Sequence, residues 1–154
     1  MAYELGKWLH ILSSTVLFGT GLGSAYYMFF TCLRGDAALV AHVARLVVVA
    51  DWIFTATTIV LQPLTGLWLV HLAGIPIGSA WIVWTFVLYF VAGACWIPVV
   101  VIQIRMRRLA EAAAAASTPL PPPFWRLFRW WTALGVPAFV SLVVVFYLMV
   151  AKPV

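Results

Sequence analysis

The sequence predicts an all-α membrane protein: a bundle of four transmembrane helices with both termini on the outer, periplasmic side. Three observations predict it. Two thirds of the residues (66%) are hydrophobic and only 8% are charged, against roughly 25% charge in a soluble domain. The apolar residues gather into four runs, each reaching the roughly 20 residues a helix needs to cross a bilayer. The breaks between runs hold turn formers and most of the basic residues. A chain of 154 residues has room for one such bundle and is read as a single transmembrane domain, 1–154. The net charge of +5 then reports orientation, and nucleic-acid binding is excluded.

The first helix is expected over about residues 5–31. Its run is too long for the core of a signal peptide, so it is read as a span. "RGDA", Arg34 to Ala37, is a short polar turn. The second helix follows over about 39–70 and ends at the Gly/Pro turn "HLAGIPIGS". The third occupies about 79–104. "RMRRLAEAAAAAS" should carry it on into water until "TPLPPP" stops it, since proline lacks an amide donor. The stretch 105–126 is thus an Ala/Pro-rich cytoplasmic loop, and the fourth helix covers about 127–150. Cys32 and Cys95 fall on different helices without metal-ligand spacing and are read as small buried residues.

Orientation follows from the arginines. Arg34, Arg45, Arg105, Arg107, Arg108, Arg126 and Arg129 flank the first and third connections, while Lys7 and Lys152 lie near the other side. The positive-inside rule places both connections in the cytoplasm. Trp8, Trp68, Trp81 and Trp84 then mark the outer interface, and Phe124, Trp125, Trp130 and Trp131 the inner one.

This topology brings two histidines toward one depth. His10 lies near the outer end of helix 1 and His71 at the outer end of helix 2. Two imidazoles on neighbouring spans form the ligand set of a b-type haem. At 100° per residue His10, Ser14, Leu17, Gly21, Ser24 and Met28 share a stripe. Ser14 and Gly21 would let a porphyrin approach the backbone. The competing reading is that these small residues, with Gly19 and Gly23, only let helices pack closely. His71 shares its ideal-helix face with Thr57, Val60, Leu64 and Leu67, apart from the polar stripe of its own helix, unless Pro63 changes the phase. His42 and Met28 form a second possible haem site at the inner face.

Helix 2 carries that polar stripe: Asp51, Thr55, Thr58, Gln62 and Thr65 recur at i+4 and i+3 spacing. Asp51 lies roughly 18 Å past the inner edge of the helix. A carboxylate at that depth costs at least ~2.5 kcal/mol and should face the bundle interior. It relays protons, pairs with a substrate cation or anchors water; alternatively it is structural, bonded to a tryptophan N–H or a hydroxyl. Arg45 is expected to snorkel to the inner interface or meet a lipid phosphate or haem propionate. Pro98 and Pro137 mark bends whose freed carbonyls can take side chains or water.

"KWLHILSSTVLFGTGLG", "ADWIFTATTIVLQPLTGLWLV", "VLYFVAGACWIPVVVIQIRM" and "RWWTALGVPAFVSLVVVFYLMVAKP" resemble a family of small bacterial integral membrane proteins catalogued as a domain of unknown function. That resemblance implies four spans and supplies no activity. Lys7, His10, Gly19 and Gly21 are more distantly similar to the first helix of haem-b protoporphyrinogen oxidases and copper-resistance-type membrane proteins. From that pattern only His10 carries over as a ligand. The sequence therefore leads us to expect a haem-b-binding protein with a redox or electron-transfer role, ligated by His10 and His71. Asp51, Thr55, Thr58 and Gln62 would line a polar path. The alternatives are a non-enzymatic accessory protein packing through helix 1 against itself or a larger redox partner, and a small transporter or channel subunit.

Overall fold

A computed structural model of the chain describes residues 1–153. It holds four long helices: α1 (Ala2–Arg34), α2 (Ala37–Leu72), α3 (Ala80–Ala115) and α4 (Pro122–Ala151). Each is long and apolar enough to cross a membrane, and no strand occurs among the described residues. The helices run alternately up and down. The termini and the α2–α3 turn therefore share one end of the bundle, the terminal end. The α1–α2 and α3–α4 connections share the other, the arginine end.

The helices outrun the apolar segments that announce them. Hydropathy marks the membrane, whereas helix ends are set by backbone chemistry. Leu109, Ala110, Glu111 and the alanines after them are strong helix formers, so α3 continues to Ala115. Proline suits a first helical turn, where its missing N–H is not needed, so α4 begins at Pro122. The loop expected over 105–126 shrinks to residues 116–121. At the other tight connection Gly35 adopts φ +73°, a left-handed conformation that glycine takes without strain. Asp36 then caps α2 by accepting the Leu39 N–H at 2.9 Å.

α3 and α4 pair most intimately, and α2 packs against both α1 and α3. The backbones of α1 and α4 approach at few points. Aromatic rings bridge that seam at two levels. Phe18 stacks on Phe139 at 5.4 Å and meets Phe146 edge-on at 5.3 Å, and Phe29 meets Phe128 at 5.4 Å. The arginine end is sealed by a dry core. Met28, Cys32, Val40, Ala44, Met106 and Phe124 are there fully buried, and Leu120 tucks in from the α3–α4 loop. Arg45 turns to Glu111 on α3 at 3.2 Å, with Arg107 at 3.7 Å from the same oxygen.

Two irregularities shape α2. Asp51–Thr55 form a π turn, closed by the Ala56 N–H on the Asp51 carbonyl. Such turns recur at functional sites. About two helical turns further on, Pro63 has no N–H to offer the carbonyl of Ile59. The Tyr89 hydroxyl of α3 donates to that carbonyl at 2.6 Å, so the helix passes through the proline with its orphaned acceptor satisfied.

Candidate functional site

Two groups of buried polar side chains are strung along the inner face of α2. Asp51, Thr55, Thr58, Gln62 and Thr65 are all buried, at 9% exposure or less. Because they share one face, they turn away from the lipid-facing Val60, Leu64 and Leu67, which are exposed. Their buried hydroxyls are satisfied locally: Thr58 donates to the Phe54 carbonyl at 2.6 Å and Thr65 to the Leu61 carbonyl at 2.7 Å.

The first group is a latch between α1 and α2 near the terminal end. The two N–H groups of Gln62 reach the His10 carbonyl at 2.9 Å and the Ser13 hydroxyl. His10 Nδ1 lies 2.8 Å from Thr65 Oγ1. The Thr65 hydroxyl also lies 2.7 Å from the Leu61 carbonyl, to which it can donate its one proton. With Nδ1 held by Thr65, Nε2 is the ring nitrogen left for a further partner. Gly66 makes room for this ring: a Cβ there would stand 3.3 Å from His10 Cε1. Gly6 likewise admits Trp68, whose ring a Cβ would meet at 3.2 Å.

The second group lies deeper, on the wall of a cavity. Gln103 Nε2 donates to Asp51 Oδ2 at 2.6 Å, and the Thr55 hydroxyl donates to Asp51 Oδ1 at 3.0 Å. Trp131 Nε1 donates to Gln103 Oε1 at 2.9 Å. An indole N–H only donates, so it fixes the amide orientation of Gln103 and leaves the amide nitrogen for the carboxylate. One chain of bonds thus ties α2, α3 and α4 together. Among the described residues Asp51 has no basic side chain within ion-pair distance; the ion pairs are those of Glu111.

The cavity beside this network measures about 350 Å³, within the range of small-molecule sites. Asp51, Gln103 and Trp131 reach it on one side, and Gly21, Gly93 and Gly135 thin its walls. A Cβ added at Gly21 or Gly135 would meet nothing within 4 Å. Leu22, Val136 and Phe139 also line it and are exposed on the bundle surface. The cavity therefore opens sideways, through the seam between α1 and α4.

The other residues singled out from sequence are spread apart. His71 is exposed, on the outward face it shares with Thr57, Val60, Leu64 and Leu67. It stands roughly 9 Å beyond Thr65 along the helix axis, so it is not level with His10. Pro63 does not bring it inward. Ser14 bonds its own helix, donating to the Ile11 carbonyl at 2.7 Å; the serine that meets α2 is Ser13. Gly21 lines the cavity, which His10 does not reach. Met28 is sealed in the dry core while His42 is exposed. Gly19 and Gly23 touch nothing that a Cβ would disturb, so the close helix approaches within the chain are made at Gly6 and Gly66 instead. Cys32 is buried and Cys95 half-buried, and both are free. No group of three His, Cys, Asp or Glu side chains suited to a metal occurs among the described residues.

Four apolar spans around a buried polar network define an integral membrane protein of the helical-bundle class. Residues 4–153 match the family described as "Predicted integral membrane protein (DUF2269)", and the chain belongs to that family. No curated protein matches the chain, and no solved structure does. Of the two resemblances drawn from sequence, the family match carries the first.

Proposed function

We propose that this protein is a binding protein for a small lipid-dissolved molecule, which enters sideways between α1 and α4 and lodges against Asp51. The observation that carries this reading is the cavity of about 350 Å³, apolar over most of its wall, with one buried polar network at its side. An apolar pocket with a few convergent polar groups is the usual form of a small-molecule site. The dry plug at the arginine end favours a binding site over a conduit, because no polar residue continues the stripe past Asp51 toward that end. By the positive-inside rule the plug faces the cytoplasm of a bacterial cell and the His10 latch faces outward.

The test fills the cavity. Gly21→Phe and Gly135→Phe place rings in open space, so the fold should tolerate them. Native mass spectrometry of protein released from membranes should show a bound lipophilic species in the parent and its loss in both variants. Equal occupancy in parent and variants overturns the reading.

A second reading, haem-b binding with a redox role, draws on one observation: His10 offers a free Nε2 with Nδ1 held by Thr65. A ligating histidine is commonly oriented through its other nitrogen in this way. His10 fits as one axial ligand, and Gly21 lies about three turns further along α1. Within one chain His71 points elsewhere, so a second ligand would come from another copy or from outside the protein. Bound haem would supply one-electron chemistry. Absorption spectra of oxidised and reduced protein decide it: a Soret band lost in His10→Ala sustains it, and a colourless protein ends it. An accessory role, packing through α1 against a second copy or a redox partner, rests on Gly19 and Gly23 alone.

A further inference from the structure

The hydrogen-bond inventory of the cavity wall says what kind of molecule fits. All four hydroxyls on that wall already donate within the protein. Ser24 gives to the Gly21 carbonyl, Thr55 to Asp51, Tyr89 to Ile59 and Thr132 to Phe128. The Trp131 N–H is spent on Gln103. Among the described residues, only the second N–H of Gln103 and the Trp96 indole are left to offer a ligand. Acceptor capacity remains, and most of it lies on Asp51. Each carboxylate oxygen has lone pairs beyond the single bond it accepts here.

The charge balance points the same way. Gln103 and Thr55 approach Asp51 as donors, one to each oxygen, which is how a protein holds a carboxylate anion. Around that carboxylate stand an amide, a threonine and, further along, an indole and the Tyr89 phenol; none of them supplies positive charge. A carboxylate in a membrane interior is normally paired. Nothing on α1, α3 or α4 pairs with this one among the described residues.

We infer that the ligand of this cavity is a lipophilic amine, whose cationic N–H group pairs with Asp51 while its apolar body fills the cavity and the α1–α4 seam. The inference rests on the binding reading above and narrows it. A molecule with a carbonyl or ether head could take the second Gln103 N–H or the Trp96 indole, but would leave the Asp51 charge unpaired. A neutral alcohol would satisfy a lone pair and leave the charge unpaired.

The test compares decylamine with decanol, which share a chain and differ in the head. Full-length protein in nanodiscs of zwitterionic lipid is titrated with each by calorimetry, with protein-free nanodiscs subtracting partition. Decylamine should bind about tenfold or more tightly than decanol, the margin of one partly shielded charge pair. Asp51→Asn should remove that margin, while Asp51→Glu should keep a preference for the amine. The comparison on the parent protein stands even where a variant does not fold. Equal binding of the two ligands overturns the amine inference and leaves the cavity reading intact. Binding of neither above the protein-free control overturns both.

Discussion

The two halves of this bundle are built from the same kind of helix and do opposite things with their interiors. At the arginine end Met28, Cys32, Ala44, Met106 and Phe124 are fully buried in an apolar core. Toward the terminal end the same four helices enclose a cavity, and α2 turns carboxylate, amide and hydroxyl groups inward. The difference teaches where the stability and the specificity of the molecule reside. In lipid, apolar burial brings no gain over exposure to acyl chains, so helices are held by close packing and by hydrogen bonds. The dry half packs. The cavity half gives up packing and is held by bonds across the helices.

The largest effect should come from loosening the dry half. Phe124→Ala removes a fully buried ring that packs edge-on against Trp125 in this core. A cavity of that size costs about 3 kcal/mol or more. The buried Cys32 thiol is the reporter: its labelling in detergent on heating should begin at a clearly lower temperature in the variant. Ligand occupancy below that temperature should not change. A loss of binding without a loss of stability would mean that the halves are not independent.

Gln103→Leu should have the next largest effect, on the cavity half. It removes the donor to Asp51 and the acceptor of Trp131 together. Two buried groups left unpaired cost about 2 kcal/mol. Amine affinity should fall as well, because only Thr55 then orients the carboxylate. Thermal unfolding and titration of the same sample separate the two outcomes. An unchanged melting temperature would show that Asp51 finds its partners elsewhere.

Much of this contrast could be read in the sequence, and what could not has a physical cause. The four spans followed from composition, because a bilayer tolerates little else. The inward turn of Asp51, Thr55, Thr58, Gln62 and Thr65 followed from their spacing on one helix. Partners across helices did not follow. Gln103 was visible as a lone amide in an apolar run, and it becomes central only because helix rotation brings it to Asp51. Trp131 was expected at the interface, since nothing local distinguishes a lipid-anchoring indole from one that closes a network. Ser13 and Ser14 adjoin, and 100° of helix rotation decides which one meets Gln62. The histidines show the same limit: chain topology fixes which end of the bundle each approaches, whereas rotation sends His10 inward to Thr65 and His71 outward. The continuation of α3 into water was legible in "RMRRLAEAAAAAS", whereas the start of α4 at Pro122, ahead of its apolar run, was not, because hydropathy marks the membrane and not the first helical turn.

The smallest expected effect isolates one hydrogen bond and sharpens the contrast between holding by packing and holding by bonds. Tyr89 donates to the Ile59 carbonyl, which Pro63 leaves without its helical partner. Tyr89→Phe keeps the ring and removes the donor, at an expected cost of about 1 kcal/mol, near the upper range for interhelical bonds in membranes. Pro63→Ala restores an N–H at residue 63, which can then satisfy the same carbonyl from within α2. In that background Tyr89→Phe should cost markedly less, because the acceptor no longer depends on α3. A double-mutant cycle on thermal stability in detergent measures the difference. Additive effects would mean that the tyrosine contributes through its ring, and that in this half, as in the other, packing outweighs the bond.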